Sequence, residues 1–395
     1  MIFTNLNTMA LTYSDVCLVP ALNKHSRKDA DITLHTNPAL NMPSYASPIF
    51  MSPMITVTSK KMIQYMANNN MFTAVHRFFP NADEQVKFVL SSVHHEDTYT
   101  KSTYNKALGV FSDWRNKFPN TVWFGVGSIK KHKNHIHTLI TKYRISNFIV
   151  DLGHGHQYEC ADTVTYIQET CKQEKITPRI IAGNVATAEG AVFLAELGIH
   201  GIRVGIASGQ ACSTYIKTGF GLPMVTSIME VREALNSLKN EPPLLIADGG
   251  IREAGDVAIA IAVGADAVMC GKLLSATSFA DGKTYTKELR SCVVDCEVYY
   301  KEYYGMASRE VMLSELSKSN EPNKEVRSVE GAAGLIRYLG DTEAVIAKLH
   351  ENLKSSQTMA GTNNWKDFQN NVHVRRISTE AYREKMINLD TVLAV

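Results

Sequence analysis

A single cysteine, Cys212, lies in the glycine-rich stretch "VGIASGQACSTYIKTGFG", residues 204–221. A thiol in such a loop can act as a nucleophile, because backbone N–H groups and nearby cations favour its thiolate form. The same stretch is also compatible with an ordinary strand-to-helix turn that happens to contain a cysteine. On its own, it leaves both interpretations open.

Four further polar residues stand in a comparable position, at or just after the end of an apolar run: Asp151, His154, Asn184 and Asp248. Aspartate and asparagine are common in turns for local hydrogen-bonding reasons, so each residue singly is explained by its turn. In a barrel of parallel strands, however, the loops that follow the strands converge on one face, which carries the active site. Together with Cys212, these residues therefore predict one shared site.

Eight short apolar runs position these residues, and each has the composition of a buried strand. We predict strands at 47–54, 71–76, 122–128, 147–155, 179–185, 201–206, 243–250 and 266–272. Apolar residues recur at spacings of three and four in segments between them, which predicts helices at 187–198, 227–239 and 253–264. Near-continuous apolar strands alternating with helices indicate a parallel sheet covered by helices. Eight units favour an α/β protein with a closed (β/α)8 TIM barrel, and an open doubly wound sheet is the alternative.

The whole chain, residues 1–395, is predicted to form a single barrel domain. Residues 273–330 are polar and do not follow the strand–helix repeat, so we expect a long insertion that forms a mobile flap over the C-terminal face of the barrel. Residues 365–395 form a C-terminal tail, in which a strand-like piece precedes a helix. The tail carries no functional signal.

The composition excludes several classes of partner. The 395 residues are 45% hydrophobic, and the formal net charge is +2 with no basic block, which argues against nucleic acid and anionic membranes as partners. The seven cysteines include no CxxC pair, so neither a zinc site nor a disulfide framework is indicated. Cys292 and Cys296 are four residues apart; a metal or a disulfide is conceivable, and two ordinary cysteines on one helical face is the simpler interpretation. With neither a signal peptide nor a long apolar run, we expect a cytoplasmic protein.

Nine stretches, taken in order and with matching gaps, resemble the inosine-monophosphate dehydrogenase and guanosine-monophosphate reductase family over nearly the whole chain. They are "LTYSDVCLVP", "FMSPMITVTS", "TAVHRF", "VDLGHGH", "IAGNVAT", "VGIASGQACSTYIKTGFG", "IADGGIREAGDVAIAIAVGADAVMCG", "YKEYYGMAS" and "VRSVEGAAG". The family fold is a (β/α)8 barrel, in agreement with the pattern of strands and helices. The resemblance implies that the partner is a purine mononucleotide, GMP or IMP.

The resemblance also implies catalytic roles. Cys212 matches the family nucleophile, which attacks C2 of the purine and holds it as a covalent thioimidate. Thr214 and Glu330 match a threonine–glutamate pair that moves a proton to departing ammonia, although some dehydrogenases also carry a glutamate at that position.

The positions that match family substrate contacts surround the nucleotide from several loops. The resemblance places Asp248 at the ribose diol, Arg327 near the 2-amino group, and Ser52 and Met54 at the floor of the site, where plain packing is an equal alternative. Gly249, Gly250 and Gly271 match phosphate contacts, and Tyr303 matches a residue near the phosphate. Lys272 stands where the family usually has a small residue, and its cation could pair with the phosphate directly. Gly305 and Met306 are further expected substrate-binding residues.

For the cofactor, no Rossmann fingerprint is present, and the family binds its dinucleotide across the barrel mouth. Asp151 and Asn184 match residues near the nicotinamide, and His76 is assigned to the same site. NADPH is expected, with NADH or NAD as alternatives. A monovalent cation, K⁺, is expected at the loop of Gly205, Gly209 and Cys212, and the resemblance implies a homotetramer.

Reductase and dehydrogenase share the covalent intermediate and differ in its fate. The stretch between Met312 and Arg327 lacks the arginine and tyrosine of a dehydrogenase flap, and residues 80–120 are too few for the regulatory (CBS) domains of many dehydrogenases. These features favour a GMP reductase that converts GMP to IMP and ammonia. An IMP dehydrogenase that forms XMP and a non-catalytic purine-nucleotide-binding barrel are the alternatives. One departure stands out: Ala207 and Ser208 replace the first two residues of the family's Gly-Pro-Gly.

Overall fold

The computed structural model describes residues 9–93, 121–290, 295–305, 308, 311 and 331–385. Each of the eight predicted runs contains a strand, and together they form one parallel sheet in the order β2-β9-β8-β7-β6-β5-β4-β3. The strands are β2 (Ile49–Met51), β3 (Thr73–Val75), β4 (Val122–Val126), β5 (Asn147–Asp151), β6 (Arg179–Val185), β7 (Gly201–Val204), β8 (Leu244–Asp248) and β9 (Ala267–Cys270).

The end strands β2 and β3 meet where the Met51 N–H donates to the Phe72 carbonyl at 3.2 Å. Because this contact brings the two edges of the parallel sheet together, the predicted (β/α)8 TIM barrel is confirmed and the open sheet is not found.

Helices follow the strands around the ring. They are α1 (Lys60–Asn68), α2 (Ala82–Val93), α3 (Ile129–Thr141), α4 (Tyr158–Gln173), α5 (Ala188–Ala195), α6 (Thr214–Thr218), α7 (Met224–Asn236), α8 (Ala254–Ala262), α9 (Lys272–Ser275), α10 (Thr342–Met359), α11 (Trp365–Asn371) and α12 (Thr379–Lys385). The three predicted helices are confirmed as α5, α7 and α8, with boundaries shifted by one to three residues. Among the described residues, no helix is both long and apolar enough to cross a bilayer.

The barrel strands are buried on both faces, which explains their near-continuous apolar sequences. Within β2, Phe50 belongs to the cluster inside the barrel, whereas Ile49 and Met51 pack in the cluster between strands and helices. Phe50 stacks on Phe72 with ring centroids 4.0 Å apart. Trp123 donates from Nε1 to the hydroxyl of Tyr45 at 3.1 Å, in the same inner cluster. Aromatic side chains therefore fill the barrel interior below the mouth.

Two small antiparallel sheets lie outside the barrel. The first joins β10 (Thr284–Arg290), β11 (Asp295–Tyr304) and β12 (Ala333–Arg337), and the second pairs β1 (Val16–Val19) with β13 (His373–Arg376). The predicted insertion thus contains a hairpin. Cys296 lies in strand β11, so the prediction that Cys292 and Cys296 share one face of a helix is wrong. Cys292 and the predicted flap over 312–330 lie outside the described residues.

Candidate active site

A cavity of about 210 Å³ lies at the carboxyl ends of the barrel strands. It brings together most of the residues that the sequence assigned to the site, from positions scattered over the chain. The predicted residues that line it are Ser52, Met54, Asp151, Asn184, Gly205, Gly209, Cys212, Asp248, Gly249, Tyr303 and Gly305. The convergence follows from the barrel, because the loops after parallel strands share one face.

Cys212 is exposed at this cavity, and its S–H donates to Oγ1 of Thr214 at 3.1 Å. The loop around it is held from both sides. The Cys212 N–H donates to the Gly209 carbonyl at 2.9 Å, and Cys212 forms an antiparallel bridge with Gly331. The predicted proton-shuttle residue Glu330 lies outside the described residues, but it immediately precedes Gly331 in the chain. The thiol is therefore accessible, and its loop is tied down.

The start of this loop packs tightly on the end of β8. The hydroxyl of Ser208 donates to the Asp248 carbonyl at 2.9 Å. A Cβ at Gly205 would lie 2.1 Å from the same carbonyl oxygen, so only glycine allows this approach. Ala207 has a φ of 62°, in the left-handed region that a residue with a Cβ adopts only at some cost.

Arg203, the third residue of β7, lines the cavity and links two of the predicted carboxylates that also line it. Its Nε and Nη2 donate to Oδ2 of Asp248 at 3.0 and 2.7 Å, and its Nη1 donates to Oδ1 of Asp151 at 2.5 Å. Asn184 also donates a hydrogen bond to Asp248, from Nδ2 to Oδ2 at 2.9 Å. Arg77 lies on the other oxygen of Asp151, with Nε 3.4 Å from Oδ2. Two arginines and two aspartates thus form one charge-balanced row across the mouth.

Burial and neighbouring charges shift the pKa values of this row in opposite directions. Burial raises the pKa of Asp151, but the guanidinium groups of Arg203 and Arg77 outweigh it, so the net pKa is lowered and the carboxylate stays ionised. Burial alone lowers the pKa of Arg203, and Asp248 and Asp151 more than reverse this effect. The pKa of Tyr303 is raised, chiefly by burial, so its hydroxyl remains a proton donor.

Three glycines that follow β8 and β9, and the tyrosine Tyr303, lie at or beside the cavity. Gly249 and Gly250 have φ values of 118° and 78°, which a turn of larger residues rarely adopts. A Cβ at Gly271 would meet the sulfur of Met54 at 2.7 Å and the hydroxyl of Tyr303 at 3.4 Å. The backbone of Gly271 therefore lies close to Met54 and Tyr303, which line the cavity. The predicted phosphate residues Gly250, Gly271 and Lys272 do not themselves line the cavity described around Cys212.

The predicted cofactor residue His76 has a different environment. Its ring stacks on Phe79 at 4.4 Å, and its Nδ1 accepts the N–H of Phe78 at 3.1 Å. The structure places its neighbour Arg77, rather than His76, against Asp151 at the mouth. The assignment of His76 to the cofactor stays a prediction, and Arg77 is the cation that the sequence reasoning missed.

The expected K⁺ site uses loop carbonyls that already accept hydrogen bonds. The Gly205 carbonyl accepts from Asn184 at 2.9 Å, and the Gly209 carbonyl accepts from the Cys212 N–H at 2.9 Å. A carbonyl oxygen has two lone pairs, so each retains capacity for a cation. The K⁺ site stays a prediction.

A second cavity, of about 700 Å³, continues from the first and shares Gly153 and Ile206 with it. Thr214, the partner of the reactive thiol, lines this second cavity. Its other walls are mainly apolar or aromatic, with two imidazoles: His154, His156, Val185, Ala186, Thr187, Thr218, Phe220, Gly221 and Leu222. A planar ring placed there would lie next to the cysteine loop.

Two further predicted substrate residues, Met306 and Arg327, lie outside the described residues. Among the described residues, Arg203 is the main functional candidate that the sequence reasoning missed. The signal was present, because an arginine inside the apolar run 201–206 must find carboxylate partners if it is buried. Ser208 was noted only as a departure, and its bond to the Asp248 carbonyl gave no sequence signal.

The chain matches a family model described as the IMP dehydrogenase / GMP reductase domain over residues 10–387. It is 31% identical over 343 residues to an inosine-5'-monophosphate dehydrogenase of Aquifex aeolicus, covering 84% of this chain and 66% of that protein. An inosine-5'-monophosphate dehydrogenase of Rhizobium tropici is 36% identical over 241 residues, 60% of this chain and 45% of that protein. A GMP reductase of Staphylococcus epidermidis is 28% identical over 361 residues, 90% and 93% of the two chains. The chain thus spans less than two thirds of the two dehydrogenases' length and nearly all of the reductase's.

Proposed function

Because the chain belongs to the IMP dehydrogenase / GMP reductase family, we propose that it is a GMP reductase, which converts GMP to IMP and ammonia at the expense of NADPH. One observation carries the proposal. The exposed thiol of Cys212, bonded to Thr214, lines the cavity in which Asp248 and Tyr303 also meet. A nucleophile, a ribose-binding carboxylate and a hydroxyl donor therefore face the same space.

The reaction begins with the sulfur of Cys212. Its thiolate adds to C2 of the purine, the bond from C2 to the 2-amino nitrogen breaks, and ammonia leaves after taking up a proton. The base remains attached through its C2–S bond. Glycines around the loop allow the sulfur to approach the flat base closely, because no side chain intervenes.

Thr214 takes part in the proton transfer from the sulfur of Cys212. Its hydroxyl accepts the S–H at 3.1 Å, so it is placed to receive the thiol proton as the nucleophile forms. Glu330 precedes Gly331 in the chain, and Gly331 forms a backbone bridge with Cys212, which supports the proposed threonine–glutamate relay. The relay delivers the proton to the departing amine.

Asp248 and Tyr303 orient the rest of the nucleotide. Within the described residues, the side-chain bonds to Asp248 all end on Oδ2, from Arg203 and Asn184. Its Oδ1 is the oxygen that accepts the ribose hydroxyls. Tyr303, kept protonated by burial, donates toward the phosphate, and backbone N–H groups of the glycine turn at Gly249 do the same.

Residues at the junction of the two cavities, Gly153 and Ile206, would hold the nicotinamide ring. The second cavity offers apolar and aromatic walls from Phe220 and Leu222 directly beside Thr214, and Asp151 and Asn184 line the first. When bound, the cofactor supplies hydride to C2 of the attached base. Expulsion of the sulfur then yields IMP and restores Cys212.

The deciding experiment offers the purified protein each reaction separately. With GMP and NADPH, absorbance at the reduced nicotinamide band should fall while ammonia and IMP accumulate in equal amounts. With IMP and NAD, formation of the reduced cofactor should be far slower.

The opposite pattern would make the protein an IMP dehydrogenase, the name carried by its relatives from Aquifex aeolicus and Rhizobium tropici. Binding of either nucleotide with turnover in neither assay would leave a non-catalytic nucleotide-binding barrel.

A further inference from the structure

Arg203 contacts two carboxylates that the proposed function assigns to different ligands. Asp248 faces the ribose of the nucleotide, and Asp151 faces the cofactor. The guanidinium donates two hydrogen bonds to the first and one to the second, at 2.5–3.0 Å. The side chain is only 7% exposed, although the residue lines the cavity that the two carboxylates also line.

The fold makes room for this arginine. A Cβ at Gly183, on the neighbouring strand β6, would lie 2.7 Å from the Cβ of Arg203, so glycine permits the close passage of the two chains. Asn184, the next residue, completes the arrangement by donating to Asp248 at 2.9 Å. Four adjacent strands, β5 to β8, therefore contribute to one hydrogen-bonded row.

We propose that Arg203 is a positioning residue: it holds Asp248 and Asp151 in one fixed geometry, so that the nucleotide and the cofactor are bound in register. This inference rests on the proposed function for the identity of the two ligands. The planar guanidinium is required, because its fork donates to two carboxylates in different directions. A lysine at the same place has one nitrogen and reaches one carboxylate at a time.

The main test compares Arg203→Lys with Arg232→Lys. Arg232 forms a similar pair elsewhere, with Nη2 2.5 Å from Oδ2 of Asp266 and Nε 2.7 Å from the Gly264 carbonyl. Because Asp266 precedes β9, this control lies at the opposite end of the barrel from the cavity. Both variants should fold, as judged by circular dichroism and thermal unfolding.

The expected result separates the two variants. Arg203→Lys should weaken GMP binding in calorimetry by about tenfold or more, the cost of losing charge-assisted hydrogen bonds. It should also raise the KM for NADPH and lower kcat/KM, whereas Arg232→Lys should stay within about twofold of the wild type on each measure. A folded Arg203→Lys protein with wild-type affinities, or equal losses in both variants, would overturn the inference.

A second readout does not depend on activity. Asp151 is faced by Arg77 from the end of β3, by Arg203 from β7 and by His132 from α3. Its lowered pKa gives stability that is present above its unfolded pKa and lost as the pH falls. In Arg203→Met, only Arg77 remains to offset the effect of burial on Asp151, so the pKa of Asp151 rises.

The stability penalty of Arg203→Met should therefore be greatest at neutral pH and shrink as the pH falls toward the raised pKa of Asp151. Urea unfolding at a series of pH values measures it. A penalty that does not vary with pH would contradict the ionic arrangement. If the wild-type protein binds neither GMP nor IMP, the proposed function fails, and this readout still tests the arginine's hold on Asp151.

Discussion

At the scale of single residues, burial distinguishes three of the described cysteines from the proposed nucleophile Cys212. Burial raises the pKa of Cys160, Cys171 and Cys270 to about 12, so these thiols stay protonated in the core. Cys212 is the exposed thiol of the described set, and its S–H is already bonded to a hydroxyl. Reactivity is thus assigned by environment rather than by the residue type.

Cys212→Ala tests this assignment. Turnover of GMP should fall by at least about a thousandfold, because the covalent step is lost, while the GMP dissociation constant should change by less than about threefold. Steady-state kinetics and calorimetry give the two numbers. Cys17→Ala, a half-buried cysteine in β1, is the control and should behave as the wild type. Turnover by Cys212→Ala within tenfold of the wild type would contradict a covalent mechanism.

At the scale of elements, one hydroxyl links the loop from β7 to Cys212 with the end of β8. Ser208 donates to the Asp248 carbonyl, and Gly249 next to it has no room for a Cβ, which would lie 2.3 Å from the Ser208 hydroxyl. The bond therefore joins the loop that carries Cys212 to the strand that carries Asp248.

Ser208→Ala should therefore cost about 1 kcal/mol of unfolding free energy, and it should lower kcat more than it raises the KM for GMP. The reason is that the substrate contacts remain while the sulfur becomes less well positioned. Ser237→Ala is the matched control, because its hydroxyl donates to the Glu233 carbonyl at 3.0 Å on the surface of α7. Urea unfolding and kinetics should show a stability loss without a kcat effect in this control. Equal kcat values for both variants and the wild type would refute the positioning role of Ser208.

At the scale of the whole molecule, three partly buried histidines couple stability to pH. Burial lowers the pKa of His132 to about 3 and the pKa values of His135 and His350 to about 4. Unfolding exposes the imidazoles, whose ordinary pKa is 6.5, so the unfolded chain binds more protons between these values. Above pH 6.5 these histidines are neutral in both the folded and the unfolded chain, so they do not affect the free energy of unfolding. As the pH falls below 6.5, protonation of the unfolded chain lowers that free energy.

We expect the unfolding free energy to decrease by up to about 4 kcal/mol per pH unit between roughly pH 6 and pH 5, about 1.4 kcal/mol for each histidine. Urea titrations at several pH values measure the slope. His350→Gln, in α10 and away from the cavity, should reduce the slope by roughly a third while leaving turnover intact. A slope that is the same in this variant and the wild type would show that His350 is not the group that titrates.

The sequence by itself determined the barrel and most of the candidate site. Strands buried on both faces need apolar residues at nearly every position, and this local requirement is legible in runs such as 179–185 and 243–250. Polar residues at the ends of those runs then had to share a face. The hairpin of β10 and β11 escaped prediction, because polar residues are mixed into both strands and the buried Lys301 and Tyr303 are not the aliphatic residues that indicate a core strand.

Only the tertiary structure decided which of these residues touch. Arg203 bridges Asp151 and Asp248, which are 52 residues before it and 45 after it, because β5, β6, β7 and β8 lie side by side in the closed sheet. Gly331 pairs with Cys212 for a similar reason, as chain returning from the insertion meets the barrel mouth. Local sequence sets the period and ends of each element, whereas contacts between distant elements depend on the order in which the ring assembles them.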